Sequence, residues 1–435
     1  MAVTPVEIDL TAEIAALPSE TFTDVALVGT AETGSLPADS DTEIGEVNRY
    51  TSAAEVSEDY GEGSDVHSAS EAVAEMGTDE WFVLVLEETA VTDEDVDDGA
   101  TIENAPALGS AGVTADTRDV VYVTDDPVEQ PGDGEVAINM DSGEVSTADG
   151  TTATLSYSHV DWSGLERLED YGVDRAHLAD VRAGRQHIGD YDSLVSWASS
   201  AEVGVPLPIE NPAQYASYDE AKQVAWDVAG YVPGGYVLGA VAESGADLGA
   251  YLLGQMAVND PWHNPYFDGD GYPFGIDSIP SRHIGKPGEP ETFLGGDTEE
   301  AGPVNVVISV AGTNVLWQSV TTAGAASDYQ FFDVKMTEIF AAQVVENALT
   351  SLRLREDRIP FTDDGRTMIS STIRQALEDY TGGVDDPFAE IDIRVPLRDD
   401  LSDDDVANRH WTGITIDGTL SGDTHEFGLE LTVSI

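Results

Sequence analysis

Side chains able to do covalent or metal chemistry are scattered through this sequence rather than assembled. Its eight histidines are His67, His159, His177, His187, His263, His283, His410 and His425. None belongs to an HExxH pair, the spacing that sets two imidazoles on one helix face for zinc, and neither a GxSxG nucleophile elbow nor a Walker-type phosphate loop occurs. Asp423 lies two residues before His425, but among 84 acidic residues such neighbours arise by chance. With no cysteine there is no disulfide, thiolate metal site or thiol nucleophile. Asp268-Gly269-Asp270-Gly271 has the aspartate spacing that opens an EF-hand loop, yet the twelfth position is Ile279, where calcium requires a bidentate Glu. Asp-Gly pairs are turn signals, so Asp268 and Asp270 are read as a turn rather than a cation site. No catalytic residue, cofactor or metal is assigned.

The arginines are better organised. Seven of fifteen (Arg353, Arg355, Arg358, Arg366, Arg374, Arg394 and Arg398) fall between residues 353 and 398, and only Lys222, Lys286 and Lys335 supply lysine. Such a cluster either docks an acidic neighbour or forms internal pairs with nearby Asp and Glu.

The rest of the chain is acidic throughout: 84 Asp and Glu against 18 Lys and Arg give a formal net charge of -66. The charge is spread along apolar-periodic segments, which separates it from an acidic tail. A surface of this kind repels itself in dilute buffer, whereas at molar salt the Debye length is about 3 Å and the repulsion is screened. We therefore expect a protein suited to molar salt. Direct nucleic-acid binding is disfavoured, because no basic stripe exists to neutralise phosphates. The start MAVTPVEIDLTAEIAALP lacks a Sec-type signal and no segment has the length of a membrane span, so synthesis in the cytoplasm without membrane insertion is expected.

At 435 residues and 41% apolar content the chain can bury several cores. The expected fold is a multidomain α+β or α/β protein, with mixed sheets flanked by helices, a β-rich insertion and extended terminal strand arms. The expected divisions are an arm at 1–20, an α/β domain at 21–100, the β-rich insertion at 101–161, an α/β middle domain at 162–318, a C-terminal domain at 319–420 and a closing arm at 421–435. Residues 90–118, rich in Asp, Glu, Gly and Ala, read as a linker or long loop. Helical spacing is clearest in Asp333 to Leu352 and in Arg366 to Tyr380, the latter stopped by Gly382-Gly383.

Both ends alternate with period two: Val6, Ile8 and Leu10 at the start, and Phe427, Leu429, Leu431, Val433 and Ile435 at the finish. Terminal strands with a clean apolar face need partners, since exposed they are aggregation-prone edges. They either pair inside their own domain or add to another subunit.

In order along most of its length the chain resembles the contractile tail sheath proteins. The likeness rests on VALVGTAETG, EVNRYTSAAEVSEDYG and WFVLVLE near the start, and on GEVAINMDSGEVSTADGTTATLSYSHVDW in the β-rich insertion. It continues in GTNVLWQSVTTAGAASDYQFFDVKMTEIFAAQVV, RIPFTDDGRTMISSTIRQALEDYTGG and ANRHWTGITIDGTLSGDTHEFGLELTVSI. The resemblance implies a structural subunit, not an enzyme, that stacks as homohexameric rings around a tail tube and contracts to drive the tube through a cell envelope. Its implied partners are itself, the tail tube protein, and the baseplate and tail terminator proteins, within a virion tail or related particle of a halophilic archaeon. It implies that the two arms link subunits, and that the helix bearing Arg366 and Arg374 faces the tube or a neighbour. A non-contractile tail component such as the tube itself is the alternative.

Overall fold

The structure is a computed structural model that describes residues 7–9, 24–38, 40, 42–124, 127–179, 181, 183–209, 218–241, 247–263, 304–310, 313–316, 319–323, 331–356, 359–383, 386–421 and 426–434. The chain forms two compact units, a body of Thr23–Phe332 and a terminal unit in which Asp333–Ile435 joins the N-terminal segment. That segment contributes the short strand β1 (Glu7–Asp9) to the terminal unit.

The body begins with β2 (Val25–Glu32), β3 (Val47–Tyr50), helices α1 (Ala53–Tyr60) and α2 (Asp65–Glu75), and β4 (Trp81–Val96). Strands β5 (Thr114–Ala115), β6 (Asp119–Val123), β7 (Glu135–Asn139), β8 (Val145–Thr147) and β9 (Ala153–Val160) follow. A 3-10 segment (Trp162–Tyr171) leads to β10 (Arg175–Leu178), α3 (Ile188–Ala201) and β11 (Val205–Ile209). Then come α4 (Tyr218–Tyr231), β12 (Val237–Val241), α5 (Leu248–Val258), β13 (Asn305–Val310) and β14 (Thr313–Leu316).

The largest sheet has the order β10-β2-β4-β9-β5, with β3 also on β4. β10, β2 and β4 are parallel, which is why VALV and WFVLVL read as continuous apolar runs: both faces are covered. One face packs Val25, Leu27, Val83 and Val85 against Val56, Val66 and Val73 of α1 and α2. The other packs Ala26, Val28 and Leu84 against Leu165, Tyr191 and Leu194. A second sheet, β11-β12-β13-β14, is parallel except for its last pair. Pro206 and Pro208, which lack a ladder donor, fall in its outermost strand β11. The fold is thus mixed α and β, with several mixed sheets flanked by helices.

Residues 90–118 are not a linker. β4 runs on to Val96 and pairs with β9, its register shifting between Val91 and Glu94 around Asp93, whose φ is 55°. Ile102, Ala107, Leu108 and Val113 are buried beyond it. Asp93 and Asp95 lie exposed on this long strand, while Asp97, Asp98 and Glu103 are exposed in the loop that follows it. Strand β10 was also invisible as a pattern, because RAHL carries a buried Arg and His.

The terminal unit contains α6 (Phe332–Arg355, whose first residue belongs to the body), α7 (Asp363–Glu378), β15 (Phe388–Arg394), α8 (Asp403–Asn408), β16 (His410–Leu420) and β17 (Glu426–Ser434). Its sheet has the order β1-β17-β16-β15.

Candidate assembly interface

The chain's two ends meet in one sheet. β1 lies parallel to β17, with Glu7 opposite Glu430, Ile8 opposite Leu431 and Asp9 opposite Thr432. β17 is antiparallel to β16, with Phe427 opposite Gly418, Leu429 opposite Ile416, Leu431 opposite Ile414 and Val433 opposite Trp411. Of the expected arm residues, Ile8, Phe427, Leu429, Leu431 and Val433 therefore occupy strands, while Val6, Leu10 and Ile435 lie outside the described residues. In the single chain the alternating ends have an own-chain partner, so the alternation does not by itself require a second copy.

The inner half of this sheet is fixed by its own core. Ser402 caps α8, its hydroxyl accepting from the Asp405 N–H while the Asp405 carboxylate accepts from the Ser402 N–H, and Arg409 ends the helix at φ 58°. β16 then buries Trp411, Ile414, Ile416 and Leu420, with Gly413 at φ 70° in the register shift between Trp411 and Ile414. A glycine in the left-handed region is what such a bulge requires. The Trp411 indole N–H donates to the Pro396 carbonyl at 3.0 Å, and its ring lies 4.5 Å from that of Phe361, over which the Arg398 guanidinium sits at 5.9 Å. α7 buries Ile369, Ile373 and Leu377, and Phe340 of α6 meets Tyr380 edge-on at 4.9 Å.

The arginines divide by role. Arg366 donates from Nε to the Val395 carbonyl at 2.7 Å, tying the start of α7 to the chain beyond β15. Arg394 pairs with Asp392 at 2.8 Å and with Asp417 at 3.5 Å; these carboxylates push its guanidinium above the usual arginine value. Arg374 is exposed on α7, and Arg353 and Arg355 are exposed in the last turn of α6; among the described residues none of the three has an ion-pair or hydrogen-bond partner. Arg358 lies outside the described residues.

The histidines are dispersed. His177 is sealed from solvent with Nε2 2.8 Å from Asp247 Oδ1, and His187 Nδ1 is 3.0 Å from Asp190 Oδ2. Neither pair was singled out in sequence, since partners 70 and 3 residues apart follow no shared motif. Among the described residues no group of three or more His, Cys, Asp or Glu could hold a metal ion. Asp268, Asp270, His283, Asp423 and His425 lie outside the described residues.

No family model matches the sequence, and no curated protein matches it. Solved structures do. A chain of the anti-feeding prophage baseplate, 6-fold symmetrised, matches with a TM-score of 0.53 at 11% identity, covering 100% of this chain and 96% of that one. A chain of the anti-feeding prophage helical sheath in its contracted state matches with a TM-score of 0.50 at 12% identity, covering 100% of this chain and 97% of that one. At such identities the likeness is one of fold, and it extends from end to end.

Proposed function

We propose that this chain is the sheath subunit of a contractile tail or injection device, stacking as hexameric rings around a tail tube and driving that tube through a cell envelope on contraction. The observation that carries the reading is the sheet β1-β17-β16-β15, in which the strands of both chain ends lie side by side along one edge of the β16-β15 pair. Strand pairing satisfied within one chain is satisfied equally well between chains, the logic of domain swapping. A neighbour's β17 and β1 can occupy the same registers on β16, so exchange preserves the ladder while joining subunits into a mesh. Residues 10–23 between β1 and the body could extend to about 45–50 Å, enough to reach an adjacent subunit. The end-to-end fold likeness to a chain of a contracted helical sheath supports the same reading.

In this scheme the exchanged strands act as hinges that keep neighbours joined while broader contacts break and reform during contraction. The role is structural, with work drawn from free energy stored at assembly. The baseplate and tail terminator cap the stack, and Arg374 faces the tube or a neighbouring subunit. The net charge of -66 suits a particle assembled in a salt-loving archaeal host.

The absence of cysteine gives a clean test. Thr415 and Glu430 are paired across β16 and β17, so a Thr415→Cys, Glu430→Cys chain oxidised in molar salt reports which copy supplies the strand. Striated hollow cylinders in the electron microscope, together with a covalent ladder of multimers on a non-reducing gel, are expected. Deleting residues 427–435 should abolish both. Cylinders whose chains cross-link only within themselves would refute strand exchange, and normal cylinders from the truncated chain would remove the terminal sheet from assembly.

A further inference from the structure

The body carries a second feature that assembly does not use. At the carboxyl end of β10, beside the middle of β2, Thr30, Asp65, Ser110 and Asp190, together with apolar residues that include Leu108 and Trp162, line a cavity of about 10 Å³, room for one water-sized species. The carboxyl edge of a parallel sheet is where open α/β folds place ligands. Asp190 is 1% exposed. Its Oδ2 accepts from the Gly109 N–H at 3.0 Å and sits 3.0 Å from His187 Nδ1. Among the described residues its Oδ1 has no hydrogen-bond partner, and it is closed to solvent. Asp65, the first residue of α2, stands partly exposed at the mouth and lines the adjoining open cleft as well.

We propose that this cavity is a monovalent cation site, in which Asp190 Oδ1 and the Asp65 carboxylate, with neighbouring hydroxyl and carbonyl oxygens, hold a sodium or potassium ion. Charge decides between an ion and a water. A water would complete the hydrogen bonding of Oδ1 but would leave two aspartates lining one small space, with Glu88 adding to the negative field at Asp190 and, among the described residues, His187 the basic group against it. Burial pushes the Asp190 carboxyl above the usual range; burial and then Asp247 do the same to Asp65. Both directions describe carboxylates short of compensating charge, which either take up a proton or hold a cation. Two carboxylates rather than three or more favour an alkali ion over calcium, which takes six to eight oxygens. The exposed mouth supplies an entry path.

The test is thermal unfolding of the full chain in sodium chloride, potassium chloride and choline chloride at equal ionic strength. The large acidic surface responds to salt in every variant, so the informative quantity is the difference between the intact chain and Asp190→Asn in each salt. Stabilisation of the intact chain relative to Asp190→Asn should be greater in one alkali salt than in choline, and should saturate with concentration as specific binding does. Asp65→Asn, a partly exposed change in the first turn of α2, should raise the half-saturating concentration several-fold, and it keeps the site testable should Asp190→Asn fail to fold. The same difference in all three salts, or a half-saturating concentration unmoved by Asp65→Asn, would overturn the site and leave an ordered water in its place.

Discussion

In the body, β2 and β4 run through the middle of their sheet and are covered on both faces, by α1 and α2, which lie near them in sequence, and by more distant segments such as α3. In the terminal unit, β17 is bracketed by β16, its neighbour in sequence, and by β1, which arrives from the opposite end of the chain. The first arrangement closes on itself, because its parallel strands are covered on both faces by the body's own segments, while the second half of β4 stays largely exposed. The second is closed only by chain ends, and chain ends can be handed to another copy without cutting through a core. In the proposed assembly, a subunit that must stay folded while its contacts rearrange benefits from keeping these two kinds of sheet in separate units.

The largest effect that would sharpen this contrast comes from Trp411, which is fully buried in the inner strand of the terminal sheet. Trp411→Ala removes the ring against Phe361 and the bond to the Pro396 carbonyl, and should lower the stability of the terminal unit by about 3–5 kcal/mol. Cylinder formation should fall with it. Hydrogen exchange at Leu27 and Leu84 in the body should stay slow, because their strands are enclosed by the body's own core. Loss of protection there would show that the units unfold together and that the contrast is one of topology alone.

The contrast was partly legible in the residues. Period-two alternation in β17 and helical spacing in α6 and α7 are strong signals, because each is one apolar face repeated over several turns or pleats. The buried runs of β2 and β4 were legible for the same reason. α8 was not, since DDDVAN has no apolar stripe and its only mark is the Ser402 to Asp405 capping box. The second half of β4 was hidden because an exposed strand rich in Asp and Glu looks like a loop. At the candidate interface the pattern named the strands but not their partners. Alternation specifies a face to be covered, and both another strand of the same chain and a strand of a second copy can cover it.

A second, smaller effect separates the two arginines of α7. Arg366 satisfies the Val395 carbonyl, so Arg366→Ala should cost about 1.5–3 kcal/mol in the terminal unit, in the range of charge-assisted hydrogen bonds. Arg374 is exposed and unpaired among the described residues, so Arg374→Ala should change stability by no more than about 0.5 kcal/mol. Denaturant midpoints measure both. In the proposed assembly Arg374→Glu, equally well folded, should impair co-sedimentation of this chain with a tail tube or its packing on further copies of itself. Unchanged assembly by this variant would assign the cluster to internal structure and the helix dipole of α6, where Arg353 and Arg355 already sit in the last turn.

The smallest effect probes the enclosed side of the comparison through alkaline pH. Tyr50, at the end of β3, donates its hydroxyl to Asp59 at 2.7 Å and meets the Tyr60 ring edge-on at 6.2 Å. Burial first, and the bond to Asp59 second, push the Tyr50 hydroxyl well above the ordinary value of 10.0. The folded chain therefore keeps this proton at a pH where the unfolded chain has lost it. Stability that Tyr50 contributes is present below pH 10.0 and drains away as the pH rises beyond it, because the unfolded state then binds fewer protons than the folded one. Tyr50→Phe should be less stable at neutral pH by about 1 kcal/mol, the loss of one hydrogen bond. Above pH 10.0 its stability should fall less steeply with pH, by up to one proton's share of the slope. Parallel curves for the two chains would mean that the hydroxyl titrates freely, and that α1 does not close over β3 as tightly as an enclosed sheet requires.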